Sequence, residues 1–149
     1  MLQNLSIEKI KIFENEFKQF MGIKDFPAYQ LTTKEVSLAI ADSCGFDSAA
    51  STFYSPKTNI HTLQISTNLI LSKYLVFHEF THILDADMYA NGDSTKYAGL
   101  SGYTEYHASQ IELMQLLGTK TATDKISFEM NTIISTFSGD KSVAQYIRE

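Results

Sequence analysis

The chain has 149 residues, of which 44% are hydrophobic and 19% charged, and this composition predicts a single globular domain over residues 1–149. The net charge of −5, without a block of lysine and arginine, argues against nucleic acid or an anionic membrane as the main partner. The single cysteine, Cys44, excludes an intramolecular disulfide and a cysteine-rich zinc site.

The N-terminal segment predicts a helix, and we expect no signal peptide. It lacks a basic stretch followed by an apolar one, and no apolar run in the chain reaches the length of a membrane span, so we expect a cytoplasmic protein. Hydrophobic residues recur at steps of two to four over residues 4–21, which is typical of an amphipathic helix. Gly22 is a suitable stop for this helix.

Three short segments favour strands. Large apolar residues alternate with small ones over residues 36–42, although residues 33–35 are also compatible with the start of a helix. Residues 50–55 and 60–66 are two further strand candidates, and the turn residues at 56–59 predict that they form a hairpin. The predicted fold class is therefore α+β, with a short sheet of about three strands packed on a central helix.

That central helix carries the motif H-E-x-x-H, in His78, Glu79 and His82. We predict a helix from about Asn68 to about Tyr89, capped by Ser66 or Thr67, and its mostly apolar surface indicates a buried position. Histidines four residues apart lie on one face of a helix, where two neutral imidazoles can bind Zn²⁺. Glu79 lies about 100° further round the helix and is the candidate general base.

The rest of the chain is predicted to be mostly helical. Residues 90–104 contain three glycines and two serines and are predicted to form a loop beside the metal helix. Helices are predicted over residues 104–118, with Ser101 or Thr104 as the cap and Gly118 as the stop, and over residues 124–137 and 140–148.

A catalytic zinc site usually has three protein ligands, so a third ligand must follow the motif. Glu105 is the preferred candidate because it lies 23 residues after His82, near the start of a second helix, where Ala108 one turn on allows close approach. Glu112, two turns along the same face, is an alternative ligand or a partner of a ligand histidine. Asp93 and His107 also remain alternatives.

Other polar residues receive supporting roles. Asp85 lies one turn beyond His82 on the ligand face and is predicted to accept the second N–H of a ligand histidine. Tyr97, Tyr103 and His107 are candidate donors for the oxyanion of a reaction intermediate. On the strand at 60–66, His61 is expected to be a surface residue.

The chain resembles a known class of proteins over about residues 50–117. His78-Glu79-Phe80-Thr81-His82, followed on a second helix by Glu105 and then Ala108, is similar to zincin metallopeptidases of the gluzincin kind. The ImmA/IrrE-type metallopeptidases are the most similar small family. This resemblance implies a zincin fold, with strands before the motif helix and a ligand glutamate on the helix that follows.

The expected function is hydrolysis of peptide bonds in a protein or peptide substrate. Zn²⁺ held by His78, His82 and Glu105 would lower the pKa of a water molecule, and Glu79 would take the proton of that water. A different class of function is a binding module that keeps the fold and docks a regulatory protein partner without turnover. The sequence does not define the oligomeric state.

Overall fold

A computed structural model of the chain describes residues 2–35 and 49–123. Helix α1 is followed by three strands, helix α2, a single π-helical turn and helix α3. Their bounds are Leu2–Met21 for α1, Tyr29–Lys34 for β1, Ala50–Ser55 for β2, Ile60–Ser66 for β3, Lys73–Asp85 for α2, Ala86–Ala90 for the π turn and Ser94–Leu116 for α3.

The three strands form one mixed sheet with β3 in the centre. β3 runs parallel to β1 and antiparallel to β2, so the predicted hairpin at 50–66 is confirmed. His61, Leu63 and Ile65 alternate along β3 and are all buried. Successive side chains of a strand point to opposite faces, so these three residues mark the covered face of the sheet.

The core lies where α1, α2 and the covered face of the sheet meet. Phe17 of α1 is fully buried and packs edge-on against Phe77 of α2, with ring centroids 5.2 Å apart. Phe80 of α2 contacts the same ring at 5.5 Å. Edge-to-face packing of this kind is favourable for aromatic rings. The motif helix thus packs against α1 through its apolar face, as its sequence predicts.

Helix α2 begins later than predicted. One of the two expected caps, Ser66, instead uses its Oγ to accept hydrogen bonds from the backbone N–H groups of Asn68 and Leu69, at 3.2 and 3.0 Å. This closes a local turn after β3, and the helix begins only at Lys73. A serine that bonds nearby backbone competes with helix formation in this way. The predicted C-terminal end at about Tyr89 agrees better with the structure, because the π turn that follows α2 extends to Ala90.

The predicted loop at 90–104 is wrong, because α3 already begins at Ser94. Asn91 and Gly92 adopt left-handed conformations, with φ of 44° and 87°, and turn the chain sharply. Asp93 then caps α3 by accepting N–H bonds from Thr95 and Lys96 at 2.9 and 3.0 Å. Glycine inside a helix costs only about 1 kcal/mol, which this long and well-capped helix tolerates. Its predicted stop near Gly118 is confirmed, since α3 ends at Leu116.

Strand β1 was not anticipated, although its residues alternate between partly buried and exposed side chains. The strand predicted at 36–42 and the helices predicted at 124–137 and 140–148 lie outside the described residues. Within the described ranges, none of the helices has the length and apolar character needed to cross a bilayer.

Candidate metal centre

The structure brings His78, His82 and Glu105 together, with one possible ligand atom from each lying within 4.8 Å of the others. The two Nε2 atoms are 3.2 Å apart. Oε1 of Glu105 lies 3.0 Å from Nε2 of His82, and Oε2 of Glu105 lies 3.8 Å from Nε2 of His78. Helix α2 supplies both histidines at adjacent turns of one face, and α3 supplies the carboxylate from the opposite side.

These distances match those within a tetrahedral metal site. Bonds of about 2.0–2.2 Å from zinc to nitrogen and oxygen place tetrahedral ligand atoms about 3.3–3.6 Å from one another. The observed separations of 3.0 to 3.8 Å bracket that value. The three side chains therefore fit a single divalent metal ion.

The hydrogen bonds around His82 define which of its nitrogens carries the proton. Thr104 Oγ1 donates to the Asp85 carboxylate at 2.9 Å, which uses the only proton of the hydroxyl. The contact of 2.9 Å between His82 Nδ1 and the same Oγ1 therefore requires Nδ1–H as the donor. A neutral His82 then has its lone pair on Nε2, which faces the cluster.

In His78, too, the proton is on Nδ1, but the hydrogen-bond partner is a different residue. Its Nδ1 lies 2.8 Å from an oxygen of Glu112, and an ionised carboxylate only accepts hydrogen bonds. Nδ1 is therefore the protonated nitrogen of neutral His78, and Nε2 carries the lone pair. When both histidines are neutral, two imidazole lone pairs and a carboxylate oxygen thus converge on one point, an arrangement that could hold a metal cation.

Burial and nearby charge shift the pKa values at this centre in different directions. Burial lowers the pKa of His78, but its hydrogen bond to Glu112 and the neighbouring carboxylates outweigh that effect and raise it. The pKa of His82 is lowered because burial there outweighs the attraction of Glu105. Burial raises the pKa of Glu79, although the hydrogen bond from Thr52 and the charge of His78 oppose the shift.

Glu79 faces a cavity of 590 Å³ that is also lined by His78, His82 and Glu105. The Glu79 side chain is 9% exposed, and its Oε2 accepts a hydrogen bond of 2.9 Å from Thr52 Oγ1. Glu79 is not one of the three clustered ligand candidates. A carboxylate beside a metal position, but outside its ligand set, is placed to accept a proton from a molecule bound in the cavity.

The remaining ligand candidates have other partners. Glu112 contacts Nδ1 of His78, the nitrogen turned away from the cluster, so it supports a ligand histidine. Asp93 is the cap of α3. His107 uses Nδ1 to contact the Asp85 carboxylate at 2.9 Å. Among the described residues, the group that could hold a metal ion comprises only His78, His82 and Glu105.

The predicted direct bond from a ligand histidine to Asp85 is wrong in detail. Asp85 is 1% exposed, and its carboxylate accepts from Thr104 and contacts His107. It acts on His82 through the hydroxyl of Thr104, because that hydroxyl contacts both side chains. Among the three candidate oxyanion donors, only Tyr97 lines the cavity, whereas Tyr103 stacks on His107 with centroids 5.5 Å apart.

Replacing Thr104 by valine should weaken the binding of Zn²⁺ by about 10- to 100-fold, the usual effect of losing a partner of a ligand histidine. Valine has a similar shape but cannot accept the Nδ1–H of His82. The dissociation constant can be measured by competition with a chromophoric chelator. Thr104→Ser keeps the hydroxyl and should bind Zn²⁺ like the wild type; equal affinity in Thr104→Val would contradict this role.

His61, expected at the surface, is 3% exposed. Its ring stacks on Tyr54, its neighbour across the hairpin, with centroids 4.5 Å apart. Neither ring nitrogen has a hydrogen-bond partner in the described part of the chain, and Asp87 Oδ1 lies 4.0 Å from Nε2. Burial lowers the pKa of His61, against the opposing charge of Asp87. His61 therefore belongs to the interior wall of the cavity.

The buried His61 should make the protein less stable in acid. Because its pKa is lower in the folded protein than in the unfolded chain, the unfolded chain binds more protons once the pH falls below about 6.5. The free energy of unfolding should therefore decrease from pH 7 to pH 5, and more steeply in the wild type than in His61→Phe. Urea denaturation of both metal-free proteins tests this, and parallel pH dependences would contradict it.

The sequence pattern does not reveal two residues of the centre. Thr52 is the partner of Glu79, and Thr104 links His82 to Asp85. Neither carries a local signal, because threonine is common in strands and tolerated in helices. Only the packing of β2 and α3 against α2 identifies them.

Comparison of the chain with protein-family models, with curated proteins and with solved structures found no match.

Proposed function

We propose that this protein is a zinc-dependent metallopeptidase in which His78, His82 and Glu105 bind the metal and Glu79 is the general base. The proposed fold class is that of a small gluzincin-like zincin, most similar to the ImmA/IrrE-type family. The observation that carries the proposal is the convergence of three lone-pair donors in one open cavity, beside the non-ligating carboxylate of a fourth residue, Glu79.

Each side chain has a defined task in the proposed reaction. Zinc held by His78, His82 and Glu105 would supply Lewis acidity, which would polarise a peptide carbonyl and make a water molecule more acidic. Glu79 accepts the proton of the attacking water and delivers it to the leaving nitrogen. Glu112 and Thr104 keep Nδ1 of the two histidines protonated, so that both Nε2 lone pairs face the metal position.

The sheet supports a peptide as the substrate. In the described part of the chain β3 lies between β1 and β2, so β2 is an edge strand of the sheet. Residues 51–54 of β2 line the cavity that contains Glu79. An extended peptide can add to an exposed sheet edge through backbone hydrogen bonds, which would place its amides beside the metal position.

The direct test is cleavage of a peptide mixture of random sequence by the zinc-loaded protein, with products identified by mass spectrometry. We expect new peptide termini that require zinc and disappear with excess chelator. A stoichiometric zinc protein that cleaves none of these peptides would contradict the peptidase proposal and favour the binding module.

A further inference from the structure

Thr52, a residue of the sheet, restrains the carboxylate of Glu79. The Glu79 side chain is 9% exposed, and Thr52 Oγ1 donates a hydrogen bond of 2.9 Å to its Oε2. A glutamate side chain has several rotatable bonds and keeps one orientation only where its surroundings restrict it. One oxygen of Glu79 is therefore restrained, while the carboxylate remains in the wall of the cavity.

Thr52 is itself rigidly placed. It lies in the middle of β2 and pairs with Leu63 of the central strand, a residue with no exposed surface. Threonine is branched at Cβ, so its χ1 rotation is limited. The position of the hydroxyl is thus fixed by the sheet. It donates its hydrogen bond to Glu79 on the helix that also carries His78 and His82.

We infer that Thr52 is a positioning residue for the general base. By holding Oε2 it leaves Oε1 of Glu79 to accept the proton of the attacking water, and it keeps the carboxylate from turning away from the metal position. This role rests on the proposed peptidase function. It also links substrate binding to catalysis, because β2 is both an edge of the sheet among the described strands and the strand that orients Glu79.

Thr52→Val tests this role because valine keeps the shape of threonine and removes the donor. We expect kcat to fall by about 10- to 100-fold, as for other residues that support a reacting group, with unchanged KM and unchanged affinity for Zn²⁺. Thr52→Ser should restore kcat. The matched control is Thr62→Val on the adjacent strand β3, paired with Phe53, which should leave kcat unchanged.

A second measurement is independent of turnover. Acetohydroxamic acid chelates zinc and can share its acidic proton with a nearby carboxylate, so calorimetric titration of the zinc-loaded protein reports on the orientation of Glu79. Both Glu79→Gln and Thr52→Val should weaken its affinity, the latter by about tenfold, and Thr52→Ser should not.

The outcomes separate this inference from the proposed function. If Thr52→Val matched the wild type in kcat and in hydroxamate affinity while Glu79→Gln was impaired in both, the role of Thr52 would be overturned and the peptidase proposal kept. An equal loss of kcat in Thr62→Val would indicate a general effect on the sheet and would also overturn it. If Glu79→Gln retained full hydrolysis, the proposed function itself would fail.

Discussion

Replacing Glu79 by glutamine should reduce hydrolysis by about 100- to 10,000-fold, the range that general base catalysis contributes. Glutamine has nearly the same size, and its amide oxygen can still accept the hydrogen bond from Thr52, so the local structure should persist. The amide cannot take up the proton of the attacking water. Zinc affinity should change little, because Glu79 lies outside the three clustered ligand candidates.

This result requires two measurements on the same protein. The rate of peptide cleavage and the zinc content, by elemental analysis, must be compared between wild type and Glu79→Gln. Glu8→Gln makes the same change at an exposed position of α1 and should retain full activity. Loss of zinc together with activity would show that Glu79 supports the metal rather than the proton transfer.

Glu105→Gln should weaken zinc binding by more than about 100-fold, beyond the effect expected of a residue that only supports a ligand histidine. Glu105 contributes the one negative charge among the three ligand candidates, and a neutral amide oxygen is a much poorer ligand for zinc. Competition titration with a chromophoric chelator gives the dissociation constant. A smaller effect than that of Thr104→Val would argue against Glu105 as a ligand.

Glu112→Gln is the matched control, because it makes the same substitution two turns further along the same helix. Its amide oxygen can still accept the Nδ1–H of His78, so the affinity for zinc should fall by no more than about tenfold. If Glu112→Gln lost zinc and Glu105→Gln kept it, the third ligand would be Glu112 and the assignment of the centre would be wrong.

The part of the centre on α2 could be predicted because it is local. His78 and His82 must lie on one face of any helix that contains them, whatever surrounds that helix. The apolar residues around the motif also predict its burial, and Phe77 and Phe80 are indeed in the core. Likewise, the hairpin at 50–66 follows from two alternating segments joined by turn residues.

The helix at 94–104 could not be predicted from its composition. Gly99 and Gly102 suggest a loop, but an added Cβ at either position would meet no atom within 4 Å, so neither glycine is required by packing. What begins the helix is the cap at Asp93 after the turn at Asn91 and Gly92. Capping and the packing of Leu100 and Ala108 outweigh the low helix propensity of the glycines.

By itself, the sequence determined the α+β composition, the hairpin, the motif helix and the pairing of His78 with His82, because each depends on residues close together in the chain. Only the tertiary structure decided which carboxylate meets both histidines, since Glu105, Glu112 and Asp93 all follow the motif on one helix or at its cap. It also decided that Asp85 acts through Thr104 and that His61 is buried. The contacts of Thr104 with Asp85 and His82 join residues 19 or more positions apart, and the burial of His61 likewise depends on how the sheet packs against α2.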